Sequence, residues 1–435
     1  MMIEQKFDIN NFKPFPTSSG LDDGTTGMYE DKVVRVFRKN FEIPKSILEF
    51  SDELNFLIPS KCFYEDDKLL VIEHERLENI TYFNEWTKKQ RVLAAKAIIE
   101  LQSELVKKEF YLNDPHSFNI TFKYYKPIYF DFGSIRKGRM NPGWWFIKCF
   151  CGWTEHDYWD EVLKINFIKK FYISFRLSFS KSPYQYLLKK ISKFEMGFIE
   201  KQIMNMLRNK GVAGRLTRKV VNGLPLLFRN FSNWTDYEQK NPELDFNNNR
   251  NKNILHLFNQ HKPNKLLDIG ANKGAFSLLA LENGTEKAIA IDLDNYSLDY
   301  LLDQINIRNN KVTIAKLNII NYPEHPGYYR SYLAAHERLY SDFTICLAVV
   351  HHVCYFGNSS FEDFVERLNR FTKKILIVEF VPYDDVHLTG PIYKGQDRSW
   401  YTLDNFINVM KKWFPGEYEI YDSSPTPRVL IKFCK

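Results

Sequence analysis

The chain reads as an α/β protein: a parallel, doubly wound sheet in its C-terminal part, preceded by an α+β region and a helical connecting region. Three observations predict this. From Asn264 onward, short apolar runs alternate with helical spacings, the pattern of a parallel sheet covered by helices. One run, Leu266-Leu267-Asp268-Ile269, ends in an acid and passes through Gly270, Asn272 and Gly274 into a helical pattern at Ala275. That is a strand, a tight glycine turn and a helix N-terminus. The next run, 287–291, ends in Asp292, 24 residues past Asp268.

In chain order, residues 1–31 are polar and dotted with Gly20, Gly24 and Gly27. Strands are expected at 33–37 and 69–73, where β-branched and aliphatic residues run together, with a helix at 47–57 between them. Residues 87–107 carry Val92, Ala95, Ile98, Ile99, Leu101 and Leu105 at helical spacing. A polar loop at 113–120 and a short strand at 128–130 follow. Residues 142–159 are crowded with Trp144, Trp145, Phe146, Phe150, Trp153, Tyr158 and Trp159. Residues 165–207 alternate aromatic, aliphatic and basic residues in a helical pattern. Residues 211–223 read as a basic linker, and 241–253, NPELDFNNNRNKN, as a second polar break. Then come strands at 265–269, 288–291, 312–317, 343–350 and 375–380, helices at 275–282, 297–306, 361–371 and 403–413, and late strands at 418–421 and 429–433. The expected domains are 1–140, 141–250 and 251–435.

A chain of 435 residues is long for one core, and its 44% hydrophobic and 26% charged content suits a globular protein. No apolar run approaches bilayer-spanning length, and MMIEQKFDINNF lacks the apolar stretch of a secretory signal. The six cysteines are scattered without metal-ligand spacing, as in a reducing cytoplasm. The net charge of +7 is uneven: residues 161–230 hold fifteen Lys/Arg against three Glu. That segment is the expected contact with something anionic. A membrane face or lipid-linked glycan comes first, because Phe171, Tyr172, Phe175 and Phe179 lie among the basic residues; single-stranded nucleic acid comes second. The alternative is a solvated face around a buried aromatic stripe.

The acid before the glycine turn selects the cofactor. A dinucleotide site uses G-x-G-x-x-G without a preceding acid, because the ligand is a pyrophosphate. Here the spacing is D-x-G-x-N-x-G. S-adenosylmethionine (SAM) has a sulfonium, an ammonium and a carboxylate, which suits an acid beside a helix N-terminus. Gly270 and Gly274 are expected to let a ligand approach the turn backbone. Asp292 falls where an acid would hold ribose hydroxyls. His351 and His352 follow the fourth apolar strand, at the sheet end where ligands bind in open α/β folds, and a histidine there can act as a general base; His351, the first residue past the strand, is the expected one. Glu379 ends the fifth strand, with Asp384 and Asp385 just beyond, and a carboxylate there can orient a substrate hydroxyl.

The runs LLDIGANKG, AIAIDLD and CLAVVHHV resemble class I SAM-dependent methyltransferases, over roughly 251–435. The resemblance implies a Rossmann-like seven-stranded methyltransferase sheet with one antiparallel strand. It implies that Asp268, Gly270, Asn272 and Gly274 hold the methionine part of SAM, Asp292 the ribose and Asn318 the adenine. In the N-terminal half, Asp114 precedes Asn119 by five residues, and Asp131-Phe-Gly133 comes twelve residues after Asn119. This is similar to D-x-x-x-x-N and D-F-G of protein-kinase-like folds. The resemblance implies Mg²⁺ on Asp131, assistance from Asn119, and Asp114 as base. The strand VVRVFRK offers Arg35 and Arg38 in place of the usual lysine, so a degenerate kinase-like lobe is expected. YLNDPHSFN, IYFDFGSI, the V-V-H-H exit and IVEFVPYDD together resemble nodulation-protein-type methyltransferases over most of the chain. That resemblance implies O-methylation of a glycan, lipid-linked glycan or small-molecule acceptor, with no protein-bound metal in the transfer site. The expected location is cytoplasmic, with peripheral contact at the inner membrane face. Alternatives are a bifunctional kinase-methyltransferase, a nucleic-acid or protein methyltransferase, and a SAM-binding scaffold.

Overall fold

The structure is a computed structural model that describes residues 7–15, 24–38, 41–151, 156–164, 166–194, 244–324, 326, 332–357, 359–386, 388 and 399–435. The expected linker at 211–223 and the basic residues beyond 194 lie outside the described residues. The chain forms two compact units, one of Met1–Phe83, Lys88–Gln202 and His325–Tyr332, the other of Asn84–Thr87, Ile203–Glu324 and Leu333–Lys435.

In the first unit, β1 (Phe12–Pro14), β2 (Thr25–Tyr29), β3 (Lys32–Phe37), β4 (Ser60–Glu65) and β5 (Leu70–His74) form an antiparallel sheet in the order β1-β2-β3-β5-β4. The helix expected at 47–57 is instead α1 (Glu42–Leu48), followed by a 3₁₀ turn at Ser51–Glu53. Pro44 stands in its first turn, where a missing N–H costs nothing. Next come α2 (Lys88–Lys107), β6 (Phe110–Leu112), β7 (Ile120–Lys123), β8 (Lys126–Tyr129) and β9 (Ile135–Lys137), paired β6-β9 and β7-β8. The buried face of α2 includes Ala95, Ile98, Ile99, Leu101 and Leu105, whose spacing marks it in the sequence, together with Ala94 and Ala97, while the expected Val92 is only partly buried. The connecting region supplies α3 (Pro142–Cys151), α4 (His156–Leu163), α5 (Phe167–Phe179) and α6 (Pro183–Phe194), all within this unit.

The second unit opens with α7 (Asn249–His261), which takes in the last five residues of the expected polar break at 241–253. Asn248 caps it, its side chain accepting from Asn251 N, so an asparagine run that reads as loop is a capped helix start. Then follow β10 (Lys265–Ile269), α8 (Ala275–Glu282), β11 (Lys287–Asp292), α9 (Asn295–Arg308), β12 (Val312–Lys316), α10 (Ala335–Arg338), β13 (Ser341–Cys346), α11 (Phe361–Phe371), β14 (Thr372–Phe380), α12 (Leu403–Trp413), β15 (Tyr418–Asp422) and β16 (Val429–Cys434). They form one seven-stranded sheet in the order β12-β11-β10-β13-β14-β16-β15. Its first five strands are parallel, and β16 inserts antiparallel beside β14. The order reverses between β10 and β13, which makes the crevice above their C-terminal ends the natural ligand site. One face is packed by α11 and α12 through Phe361, Phe364, Leu368, Phe406 and Met410.

Candidate active site at the glycine turn

The turn after β10 is held by its own backbone. Gly270 N and Ala271 N both donate to Ile291 O, at 2.8 and 3.0 Å, and Gly274 N donates to Ala271 O at 2.8 Å. Asn272, at φ 48°, donates its N–H to Asp292 Oδ2 at 2.7 Å. Gly270 and Gly274 both have φ +76°, the left-handed region that favours glycine. A Cβ on Gly270 would lie 2.3 Å from Val349 Cγ2, and one on Gly274 would lie 2.5 Å from Leu301 Cδ1. The missing side chains make room for Val349 and Leu301, and the turn N–H groups of Gly270, Ala271, Asn272 and Gly274 are engaged internally. What remains for an anion is the start of α8, where Ala275 and Phe276 N–H lack intrahelical partners, Ser277 N–H being given to Asp268.

Asp268 is buried at the end of β10, and its Oδ2 accepts from Ser277 Oγ on α8 at 2.8 Å. Burial, with Asp292 nearby adding to it, pushes its carboxyl up to about 7. Burial also raises Asp292. Asp292 Oδ2 serves Asn272 N, and its Oδ1 accepts from Leu293 N at 2.6 Å and Asp294 N at 2.9 Å. A carboxylate has about four acceptor positions, so a ribose hydroxyl can still bind there. The two acids fit a cationic ligand, whose charge favours their ionised forms. Asn318, just past β12, is exposed; its Oδ1 accepts from Ile320 N at 3.0 Å.

The fourth strand ends at Cys346, four residues short of the expected Val350. The apolar residues Leu347, Val349 and Val350 are a turn, with Ala348 at φ 54°, and Val349 in that turn packs against Gly270. His351 and His352 therefore begin a one-turn π-helix, His351–Phe356, held next to the glycine turn. Their ring centroids are 3.8 Å apart. His351 is 4% exposed. His352 is partly exposed, and burial, then the Arg428 guanidinium, lowers it to about 4. It is neutral near pH 7.

Register places Asp268 level with Ile345 and Ile377. Glu379, two residues past Ile377, lies on the face that Asp268 occupies, two strands away, about 10 Å across the sheet. Glu379 is fully buried, and burial raises its carboxyl. Ser423 Oγ donates to its Oε1, while Arg250 Nη1 of α7 is 3.9 Å from Oε2. Arg250 also lies 5.6 Å from the Phe276 ring centroid at the start of α8. Arg428 donates from Nε and Nη2 to Asp385, at 2.7 and 3.1 Å, both residues buried. Arg250, Ser423 and Arg428 are absent from the sequence reading. Arg428 carries a weak signal, a lone cation at the mouth of an apolar strand; Arg250, inside NNNRNKN, carries none.

In the first unit, Arg35 Nη2 on β3 meets Asp131 Oδ1 at 3.0 Å, and Asn119 Nδ2 donates to Asp131 Oδ2 at 3.1 Å. Asn119 Nδ2 also donates to Asp114 O at 2.8 Å, and His116 Nε2 lies 3.3 Å from Asp114 Oδ2. The structure thus gathers Asn119 and Asp131 with the backbone carbonyl of Asp114, and adds Arg35 on Asp131 Oδ1 while Asn119 holds Oδ2.

No protein-family model matches the chain. Among curated proteins, the chain is 26% identical over 343 residues to nodulation protein NoeA of Rhizobium meliloti (strain 1021), covering 72% of this chain and 71% of that protein. Among solved structures it is similar to WbdD, 18% identical over 42% of this chain, with a TM-score of 0.31; the match spans only 40% of that chain. WbdD is titled a bifunctional kinase-methyltransferase. It is also similar to magnesium protoporphyrin IX methyltransferase (ChlM) from Synechocystis PCC 6803, 11% identical, covering 57% of this chain and 99% of that one, with a TM-score of 0.31. The chain is thus similar over most of its length to NoeA, and its second unit joins the strand order β12-β11-β10-β13-β14-β16-β15 to an acid-flanked turn after β10.

Proposed function

We propose that the second unit methylates a hydroxyl of a glycan, lipid-linked glycan or small-molecule acceptor seated over the C-terminal ends of β13 and β14. The observation that carries this reading is Glu379. It is fully buried on the face that Asp268 shares, and its Oε2 has no hydrogen bond among the described residues. An unsatisfied buried acceptor costs about 1–3 kcal/mol, which a donating acceptor hydroxyl would recover. In this reading Asp268, Asn272 and the first turn of α8 hold the methionine part of SAM, Gly270 and Gly274 shape that turn, Asp292 holds the ribose, and Asn318 stands by the adenine. SAM supplies an electrophilic methyl on a sulfonium. The protein aligns the acceptor with it, and alignment supplies most of the acceleration. Glu379 orients the acceptor. His352, the more exposed and neutral histidine, takes the hydroxyl proton, with the buried His351 stacked behind it. His352→Ala should lower turnover about 100- to 10,000-fold while SAM affinity stays unchanged. Transfer of labelled methyl from SAM into fractionated cell extract tests the acceptor class: label in glycan or small-molecule fractions supports it, and label only in protein or nucleic acid rejects it.

We also infer that the first unit is a kinase-like lobe without phosphotransfer activity. Its support is the Arg35–Asp131–Asn119 arrangement, which engages both carboxylate oxygens that a metal would need. ATP turnover by the full chain that disappears in Asp131→Asn would refute it.

A further inference from the structure

We propose that α5 docks the protein on an anionic lipid bilayer, lying in the plane of the membrane surface. The helix exposes what a soluble helix buries. Phe167 is 81% exposed, Ile168 77%, Phe171 67%, Phe175 56% and Phe179 77%, with Tyr172 beside them. At about 100° per residue these six side chains fall in one arc about 140° wide. Ile173, Ser174 and Leu177, the buried residues, point the other way. That inner side is fixed to α3 by Ser174 Oγ, which donates to Gly143 O at 3.0 Å; Ser178, near the Phe167 edge of the arc, donates from Oγ to Asn141 Oδ1 at 2.9 Å, just before α3. A Cβ on Gly143 would lie 2.5 Å from Ser174 O, so the two helices are in close contact. The next residue, Trp144, is 67% exposed and adds an indole, a side chain favoured at the lipid–water interface.

The apolar arc is therefore a second face on a helix already packed, and among the described residues it is exposed, not a buried aromatic stripe. Lys169 and Arg176 follow the arc on its edge. Residues 167–194 contain seven Lys/Arg and no Asp or Glu. Apolar arc, basic border and absence of acids are the features of an interfacial helix on anionic lipid. A second copy would set the same positive charge against itself. Nucleic acid would find aromatic faces but also Ile168, and the polar groups of the arc are already engaged, Tyr172 Oη accepting from Arg176 Nε and Ser178 Oγ donating to Asn141 Oδ1, both at 2.9 Å.

The test is co-sedimentation of the full chain with vesicles of phosphatidylcholine, alone or mixed with phosphatidylglycerol. The expected result is binding to the mixed vesicles at low salt, weakened by added salt, and at least about tenfold weaker binding by Phe171→Asp/Phe175→Asp. If that variant fails to melt cooperatively, Lys169→Gln/Arg176→Gln decides, and it should lose the preference for mixed vesicles. Absence of binding at low salt, or equal binding by the variants, overturns the proposal. So does a wild-type dimer that Phe171→Asp/Phe175→Asp dissociates without any vesicle binding.

Discussion

In the proposed reading, Asp268 is the residue on which cofactor binding turns. Its carboxyl, pushed up to about 7 by burial, keeps its proton well above the ordinary value near 3.9. The unfolded chain ionises first, so between about pH 4 and pH 7 this group removes stability as pH rises, by on the order of 4 kcal/mol in the cofactor-free protein. Asp268→Asn should therefore be more stable than wild type at pH 8 and no more stable at pH 4, measured by urea unfolding. A cationic cofactor reverses the balance, since it favours the ionised carboxylate. SAM binding should release a proton and tighten between pH 6 and pH 8. Calorimetry in buffers of different ionisation enthalpy reads that proton directly, and affinity flat across the range would contradict the assignment. Asp131 behaves as a counter-ion in the same terms. Asp131→Ala leaves Arg35 buried without its carboxylate, and removing one partner of a buried pair costs about 3–5 kcal/mol. Its expected phenotype is lost stability of the first unit, not a lost activity.

At the scale of elements, the glycine turn is a packing joint. Gly270→Ala forces an L side chain to φ +76° and drives Cβ into Val349, and the two effects together should cost about 2 kcal/mol or more. Gly270→Ala/Val349→Ala should recover the steric part and leave the backbone part, which denaturant unfolding of the three variants will separate. The motif is legible as D-x-G-x-N-x-G, but its reason is not, because Val349 lies 79 residues further on. Elsewhere legibility followed the strength of the local pattern. Phe361–Phe371 and Leu403–Trp413 match their expected bounds because their apolar stripes are regular and Ser360 and Thr402 cap them. The fourth strand was read too long because Leu347-Ala348-Val349-Val350 is apolar throughout, and hydrophobicity alone does not distinguish a buried turn from a strand. The helix starting at Asn249 was missed because its N-cap belongs to an asparagine run that also suits a loop. Glu379 could be placed at the fifth strand's end, but its partners Arg250 and Ser423 are 129 residues before it and 44 after it, beyond any local signal.

At the scale of the whole molecule, two compact units separate the tasks. The second carries the acid-flanked turn, the histidine pair and Glu379 on one end of a single sheet. The first carries the Arg35–Asp131 pair and the outward aromatic face of α5. Methyl transfer and SAM binding, measured together on the full chain, are the decisive pair of readouts. Wild type, His351→Ala/His352→Ala and Asp268→Ala are compared by calorimetry with SAM and by labelled-methyl transfer to the acceptor fraction. The expected result is that wild type binds SAM and labels the acceptor. The histidine double variant should bind SAM as tightly but turn over at least about 100-fold more slowly, and Asp268→Ala should lose most of the binding itself. A full chain that does not bind SAM would contradict the account, and so would near-normal turnover in the double histidine variant.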